Sequence, residues 1–181
     1  CIFTKMNLYN CYKLEQIMID HSQNFAQFNI QSCNNLQYIL KLTVNEKCYI
    51  GNCKNLKNIA DIDTSYDLPG ELTIENCASL ESIKLRGQGN MTMLNKLPAL
   101  KTISIYDLST LKLKNCFALQ EIWVEMLDHH SLFGGDQKKI ELFMEAKLKN
   151  IMDYPMISFY RERTEPIIIK TPAGKELFIK F

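Results

Sequence analysis

A twelve-residue spacing, apolar-x-apolar-x-x-Cys-x-x-Leu-x-x-Ile, recurs through the first two thirds of the chain and limits its possible folds more than any other feature. Its cleanest copy is Leu72, Ile74, Cys77, Leu80 and Ile83. Before it come Met6, Leu8, Cys11, Leu14, Ile17, then Phe28, Ile30, Cys33, Leu36, Ile39, then Cys48, Ile50, Cys53, Leu56, Ile59. After it come Thr92, Leu94, Leu97, Leu100, Ile103 and Leu111, Leu113, Cys116, Leu119, Ile122. Of these thirty positions only Thr92 is not apolar, whereas a 46% hydrophobic composition would fill about fourteen by chance.

Successive anchor slots lie 22, 20, 24, 20 and 19 residues apart, too short for a strand plus a long helix in each unit. The first half of each copy alternates apolar and polar residues, as a strand with one buried face must. The second half continues the alternation, as in Ile83-Lys84-Leu85 and Ile122-Trp123-Val124. The pattern predicts two short extended segments per coil, one on each side of a flattened tube. The residue before the anchor is Asn10, Asn52, Asn76 or Asn115 in four copies and Ser32 or Lys96 in the other two. Asparagine there is expected either to hydrogen-bond backbone groups in a stacked ladder where the strand turns a corner, or simply to serve as a turn-favouring residue. Polar connections, Asp61–Gly70 and Arg86–Asn90 among them, read as loops.

The expected architecture is mainly β, a leucine-rich-repeat-like solenoid of short parallel strands over 1–124, with a C-terminal helix or hairpin cap over 125–181. Within the cap region, Glu125–Lys139 is the longest break in the pattern, and a degenerate seventh copy reads as Ile140, Leu142, Glu145, Leu148 and Ile151. Lys139–Asn150 is also rich in helix formers, and a short amphipathic helix is the expectation adopted. Met156–Arg161 alternates like a strand, and Pro166–Lys170 with Lys175–Phe181 flank Thr171-Pro172-Ala173-Gly174, a hairpin signal.

Chemistry is sparse. There is no Gly-rich phosphate loop, no Gly-x-Ser-x-Gly elbow and no His-Glu-x-x-His helix, so no enzymatic activity and no cofactor are expected. Cys48 and Cys53 fall in apolar slots and read as packing rather than metal ligands. Asp128-His129-His130 is the one cluster with ligand chemistry, and it reads as a solvated loop without a metal. A net charge of +1 supplies no general field for nucleic acid, and no apolar run is long enough for a membrane-spanning helix. Seven cysteines cannot all pair internally, and a reducing, cytoplasmic compartment suits them. The abrupt start at Cys1 reads as an excerpt of a longer chain.

Over Met6–Val124 the residues resemble leucine-rich repeat proteins. Leu72-x-Ile74-x-x-Cys77-x-x-Leu80 is similar to the cysteine-containing variants of F-box partners and plant immune receptors. Ile74-x-x-Cys77-x-x-Leu80-x-x-Ile83-x-Leu85 is similar to BspA-like repeats, although the position three before the cysteine lacks their phenylalanine. Gly70-Glu71-Leu72-Thr73-Ile74-Glu75-Asn76 resembles a phrase of the receptor L domain. The resemblance implies a recognition or scaffold module.

The candidate contact residues are therefore those between the anchors. On the first strands these are Tyr9, Gln31, Tyr49, Glu75, Asn95, Lys112 and Lys114; on the second, Trp123 stands out as an interface-type aromatic. The functional expectation is a non-enzymatic module that binds a protein partner through one stacked face. A structural segment of a larger assembly, or a surface receptor or adhesin ectodomain, is the alternative.

Overall fold

The structure, a computed structural model, describes residues 3–19, 25–64, 70–87, 91–106, 110–125, 140–145, 157–159, 167–170 and 176–180. These residues form strands and no helix. In chain order the strands are β1 (Phe3–Tyr9), β2 (Gln16–Met18), β3 (Phe25–Gln31), β4 (Tyr38–Gly51), β5 (Asn58–Thr64), β6 (Glu71–Glu75), β7 (Ser82–Gly87) and β8 (Met91–Asn95). They continue with β9 (Thr102–Tyr106), β10 (Thr110–Lys114), β11 (Glu121–Glu125), β12 (Ile140–Glu145), β13 (Ile157–Phe159), β14 (Ile167–Lys170) and β15 (Glu176–Lys180).

The chain winds as a parallel β-solenoid. Each repeat contributes one strand to a first layer, ordered β1-β3-β4-β6-β8-β10-β12, and one to a second, ordered β2-β4-β5-β7-β9-β11-β15. The template slots stack on themselves: Ile50 lies opposite Ile30 and Ile74, and Ile83 opposite Ile59 and Ile103. The five not fully buried template positions, Met6, Leu8, Cys11, Leu14 and Cys116, lie in the first and sixth copies. Burial of these aliphatic columns between the layers supplies most of the stabilisation, since each repeat closes its neighbour's core.

The Cys-x-x-Leu spacing is a turn. In every copy the leucine N–H donates to the anchor carbonyl, as in Leu36 to Cys33 at 3.1 Å and Leu80 to Cys77 at 3.3 Å. The residue before the anchor adopts a left-handed backbone in all six copies, with φ between 52 and 56°. Asparagine tolerates this conformation best among residues with a Cβ, which explains its recurrence. The corner stacks through the backbone: Asn10, Ser32, Asn52, Asn76 and Lys96 each donate their N–H to the carbonyl ending the next coil's first strand, at 2.9–3.1 Å. The expected asparagine side-chain ladder is thus a main-chain ladder, indifferent to the serine and lysine.

The anchor cysteines do more than fill space. Cys11, Cys33, Cys53, Cys77 and Cys116 each donate S–H to the carbonyl two residues earlier, at 3.4–3.6 Å. Four of those carbonyls also accept a corner N–H, so both lone pairs are used.

Three expectations are corrected. The fourteen-residue β4 runs unbroken from the second layer into the first, where two short segments with a polar connection were expected, because Leu42, Thr43 and Val44 are buried rather than exposed in a connection. Asp61–Thr64, assigned to a loop, belongs to β5, with Ile62 and Thr64 buried and the Asp61 carboxylate paired to Arg86 at 2.9 Å; residues 65–69 lie outside the described residues. Ile140–Glu145, expected in a helix, is strand β12, paired parallel to β10 and occupying backbone groups that a helix would leave without partners.

The register also places Leu142 and Met144 opposite Leu111 and Leu113, so the seventh copy begins two residues later than the Ile140 frame. A two-residue slip keeps every side chain on its face, and alternation alone cannot detect it. The terminal hairpin is present as antiparallel β14 and β15, with β15 added parallel to β11, while β13 lies antiparallel to β12. Leu148, Ile151, Asp128, His129, His130 and the hairpin turn lie outside the described residues.

Candidate interaction face

The first layer presents its outward residues in two aligned rows. One runs Tyr9, Gln31, Gly51, Glu75, Asn95, Lys114; the other runs Asn7, Asn29, Tyr49, Thr73, Met93, Lys112. Alternation with the buried columns turns these side chains outward. The structure thereby brings together Tyr9, Gln31, Tyr49, Glu75, Asn95, Lys112 and Lys114. Trp123 sits on β11 in the other layer, between Ser104 and Lys180, and joins none of them.

The rows are tied together by their own polar groups. Asn29 Nδ2 donates to the Tyr9 hydroxyl at 2.7 Å. The Tyr49 hydroxyl donates to Glu75 Oε1 at 2.7 Å, Asn95 Nδ2 donates to Glu75 Oε2 at 3.2 Å, and Asn115 Nδ2 donates to Asn95 Oδ1 at 3.4 Å. A chain of hydrogen bonds therefore links the third coil to the sixth, with one carboxylate accepting from both sides. Burial, and then the hydrogen bond and negative charge of Glu75, push the Tyr49 hydroxyl up to about 12, so it remains a donor at neutral pH.

Gly51 makes this geometry possible. A Cβ there would lie 2.4 Å from the Tyr49 hydroxyl oxygen and 2.6–2.7 Å from its ring carbons. The ring thus lies across Gly51 to reach Glu75. The sequence pattern puts Gly51 and Asn29 on the outward face and Asn115 at a corner but gives none of them a role; that signal lies in the register, which sets Tyr49 diagonally next to Glu75. The pattern likewise does not single out Lys47 and Glu71, opposite each other in a third row and paired at 3.4 Å.

Charge is graded along the face. Amide and phenol groups occupy the first coils, Glu75 the middle, and the exposed Lys112 and Lys114 the sixth. On the second layer, Trp123 stays 39% exposed even with β15 beside β11, and its Nε1 donates to Glu121 Oε2 at 3.0 Å. Asn58 Nδ2 donates to Ser82 Oγ at 2.6 Å on the same side.

Among the described residues no group of three or more His, Cys, Asp or Glu side chains is arranged to hold a metal ion, and no helix is long and apolar enough to cross a membrane. Fold and face together define a parallel β-solenoid with a pre-ordered polar surface on one layer. Comparison with protein-family models, curated proteins and solved structures found no match.

Proposed function

We propose that the protein is a non-enzymatic interaction module that binds a protein partner through the first layer of its solenoid. The observation that carries this reading is the hydrogen-bonded row from Tyr49 through Glu75 and Asn95 to Asn115. Side chains already held by one another lose less freedom when a partner docks, which favours binding. Tyr9, with nearly half its surface exposed, and the Lys112–Lys114 pair flank the row and would supply an aromatic anchor and an electrostatic contact. The leucine-rich-repeat resemblance supports the same class.

A photo-crosslinking residue placed at Gln31, and separately at Ser104 on the opposite layer, tests the reading in extract of the source organism. The expected result is a protein adduct from Gln31 that is absent from Ser104 and is lost in the Lys112→Glu/Lys114→Glu variant. Adducts of equal yield from both layers, or an adduct unaffected by that variant, would count against the first layer as the binding face.

A further inference from the structure

The outward face of the second layer is apolar at two ends and small between them. Tyr38 and Leu40 of the second coil and Trp123 of the sixth are exposed, although each is a large hydrophobic side chain. The three coils that separate them present Asn58, Ala60, Ser82, Thr102 and Ser104, with Lys84 as the long side chain among them. Trp123 is held in place on this face by its own coil, since its Nε1 donates to Glu121 Oε2 at 3.0 Å.

Such a pattern complements itself. A two-fold axis normal to the sheet reverses both coil order and strand direction, so every contact across it is made twice. Centred over Ile83, in the fourth coil, the axis brings Tyr38 against Trp123 of a second copy, and Asn58 and Ala60 against its Ser104 and Thr102. Leu40 and Lys41 come opposite Glu121, which joins opposite charges. Lys84 comes opposite Ser82, whose small side chain leaves room for it. These pairs follow from the registers of β4, β5, β7, β9 and β11.

The area is sufficient for a reversible dimer. Five strands about 4.8 Å apart, with five residues each at about 3.3 Å, give a flat footprint of roughly 24 by 17 Å, about 400 Å² on each copy. Side-chain relief enlarges the accessible surface beyond the footprint, and two copies together reach the roughly 1,000 Å² at the low end of specific interfaces. Stacked sheets pack about 10 Å apart, and the small central residues permit that approach.

We propose that the second layer is a homodimer interface, in which two copies pack face to face about a two-fold axis over Ile83. This goes beyond the partner-binding reading and does not depend on it. The first layers of the two copies point away from each other, so the dimer offers a partner two binding faces.

Sedimentation equilibrium of the native chain, over a concentration series up to about 1 mM, tests the proposal. The expected result is reversible dimerisation that Trp123→Ala weakens by about tenfold or more and that Lys112→Glu/Lys114→Glu on the first layer leaves unchanged. A photo-crosslinking residue at Ala60 should give an adduct of twice the chain's mass, joined to the tryptic peptide Thr102–Lys112 of the second copy. If Trp123→Ala fails to fold, Tyr38→Ala and the crosslink in the otherwise native chain decide. A monomer throughout the series, a dimer indifferent to both alanine variants, a self-adduct to any other peptide, or an adduct at Ala60 only with a different protein in extract would each overturn the proposal. A self-adduct differs in mass from the heterologous adduct expected at Gln31, so the dimer and the partner-binding reading stand or fall separately.

Discussion

The Tyr49 hydroxyl reaches the Glu75 carboxylate at 2.7 Å only because Gly51 leaves room for the ring to lie across the sheet. Three residues on two neighbouring coils thus set one another's positions: the glycine admits the ring, the ring orients the carboxylate, and the carboxylate in turn accepts from Asn95.

Replacing Gly51 with alanine puts a methyl group 2.4 Å from the hydroxyl oxygen and must displace the ring. Loss of a hydrogen bond to a charged group, offset in part by the better strand propensity of alanine, leaves an expected cost of about 1 kcal/mol by denaturant unfolding. In a Tyr49→Ala background the same change should be neutral or stabilising. An equal effect in both backgrounds would show that the two residues are not coupled.

Thr92 is the one template position without an apolar side chain, and it is 1% exposed with its hydroxyl lacking a hydrogen-bond partner among the described residues. It stacks between Leu72 and Leu111. Thr92→Val keeps the shape and removes the desolvated hydroxyl, so a gain of about 1 kcal/mol is expected in chemical unfolding. A loss of stability would mean that the hydroxyl has a partner.

Cys77 has no exposed surface and donates to the Glu75 carbonyl at 3.4 Å. Cys77→Asp places an isolated charge in the core and should cost several kcal/mol or unfold the chain. Cys77→Val retains the apolar volume but loses the donor, and a cost of about 1 kcal/mol is expected. Thermal melts in which the aspartate variant matches the wild type would contradict the packing of the anchor column.

Much of this architecture was legible because the slots obey two simple periods, alternation along each strand and recurrence at each coil, and Ile30, Ile50 and Ile74 could be aligned from them alone. The corner position was also visible, as Asn10, Asn52, Asn76 and Asn115, but the choice between a turn preference and a side-chain ladder was not. A left-handed backbone leaves the same letter as a side-chain ladder, and only the φ values with the N–H donors separate the two. Tyr38–Gly51 escaped because the expectation of two short segments per coil divided a run that buried Leu42 and Val44 keep continuous between the layers. For Ile140–Glu145, helix propensity and strand alternation conflict locally, and pairing with β10 decides between them. The face itself was half legible: register assigned its members, but the Tyr49–Gly51 relationship depends on a diagonal side-chain path that the repeat does not encode.

Lys96 holds the left-handed corner with φ of 52°, as Asn52 and Asn76 do with 56° and 54°. A Cβ-bearing residue other than asparagine costs about 1–2 kcal/mol there, and asparagine recovers part of it. Lys96→Asn should therefore stabilise the solenoid by about 0.5–1 kcal/mol, read as an upward shift in melting temperature, while Asn76→Val should destabilise it by about 1 kcal/mol or more. The corner bond from Lys96 N–H to the Lys114 carbonyl at 2.9 Å is made by the backbone and survives the first change. Failure of Lys96→Asn to raise stability would locate the strain elsewhere.

Alkaline pH should weaken the fold over a defined window. Thiols ordinarily ionise near 9.0, but burial pushes Cys48 up to about 12 and Cys33 and Cys116 to about 11. The folded chain holds these protons more tightly than the unfolded chain, so the associated stability is complete below about pH 9 and is lost as pH rises through about 11 to 12. Tyr49, ordinarily near 10.0 and held at about 12, adds a loss that begins one unit higher. Denaturant unfolding in reducing buffer across this range should show a steady fall. Cys48→Val should flatten the slope from about pH 9 upward, while Tyr49→Phe flattens it only from about pH 10. Stability independent of pH up to about 11 would mean that the thiols reach solvent in the folded state, against the burial of Cys48 between Phe28 and Leu72.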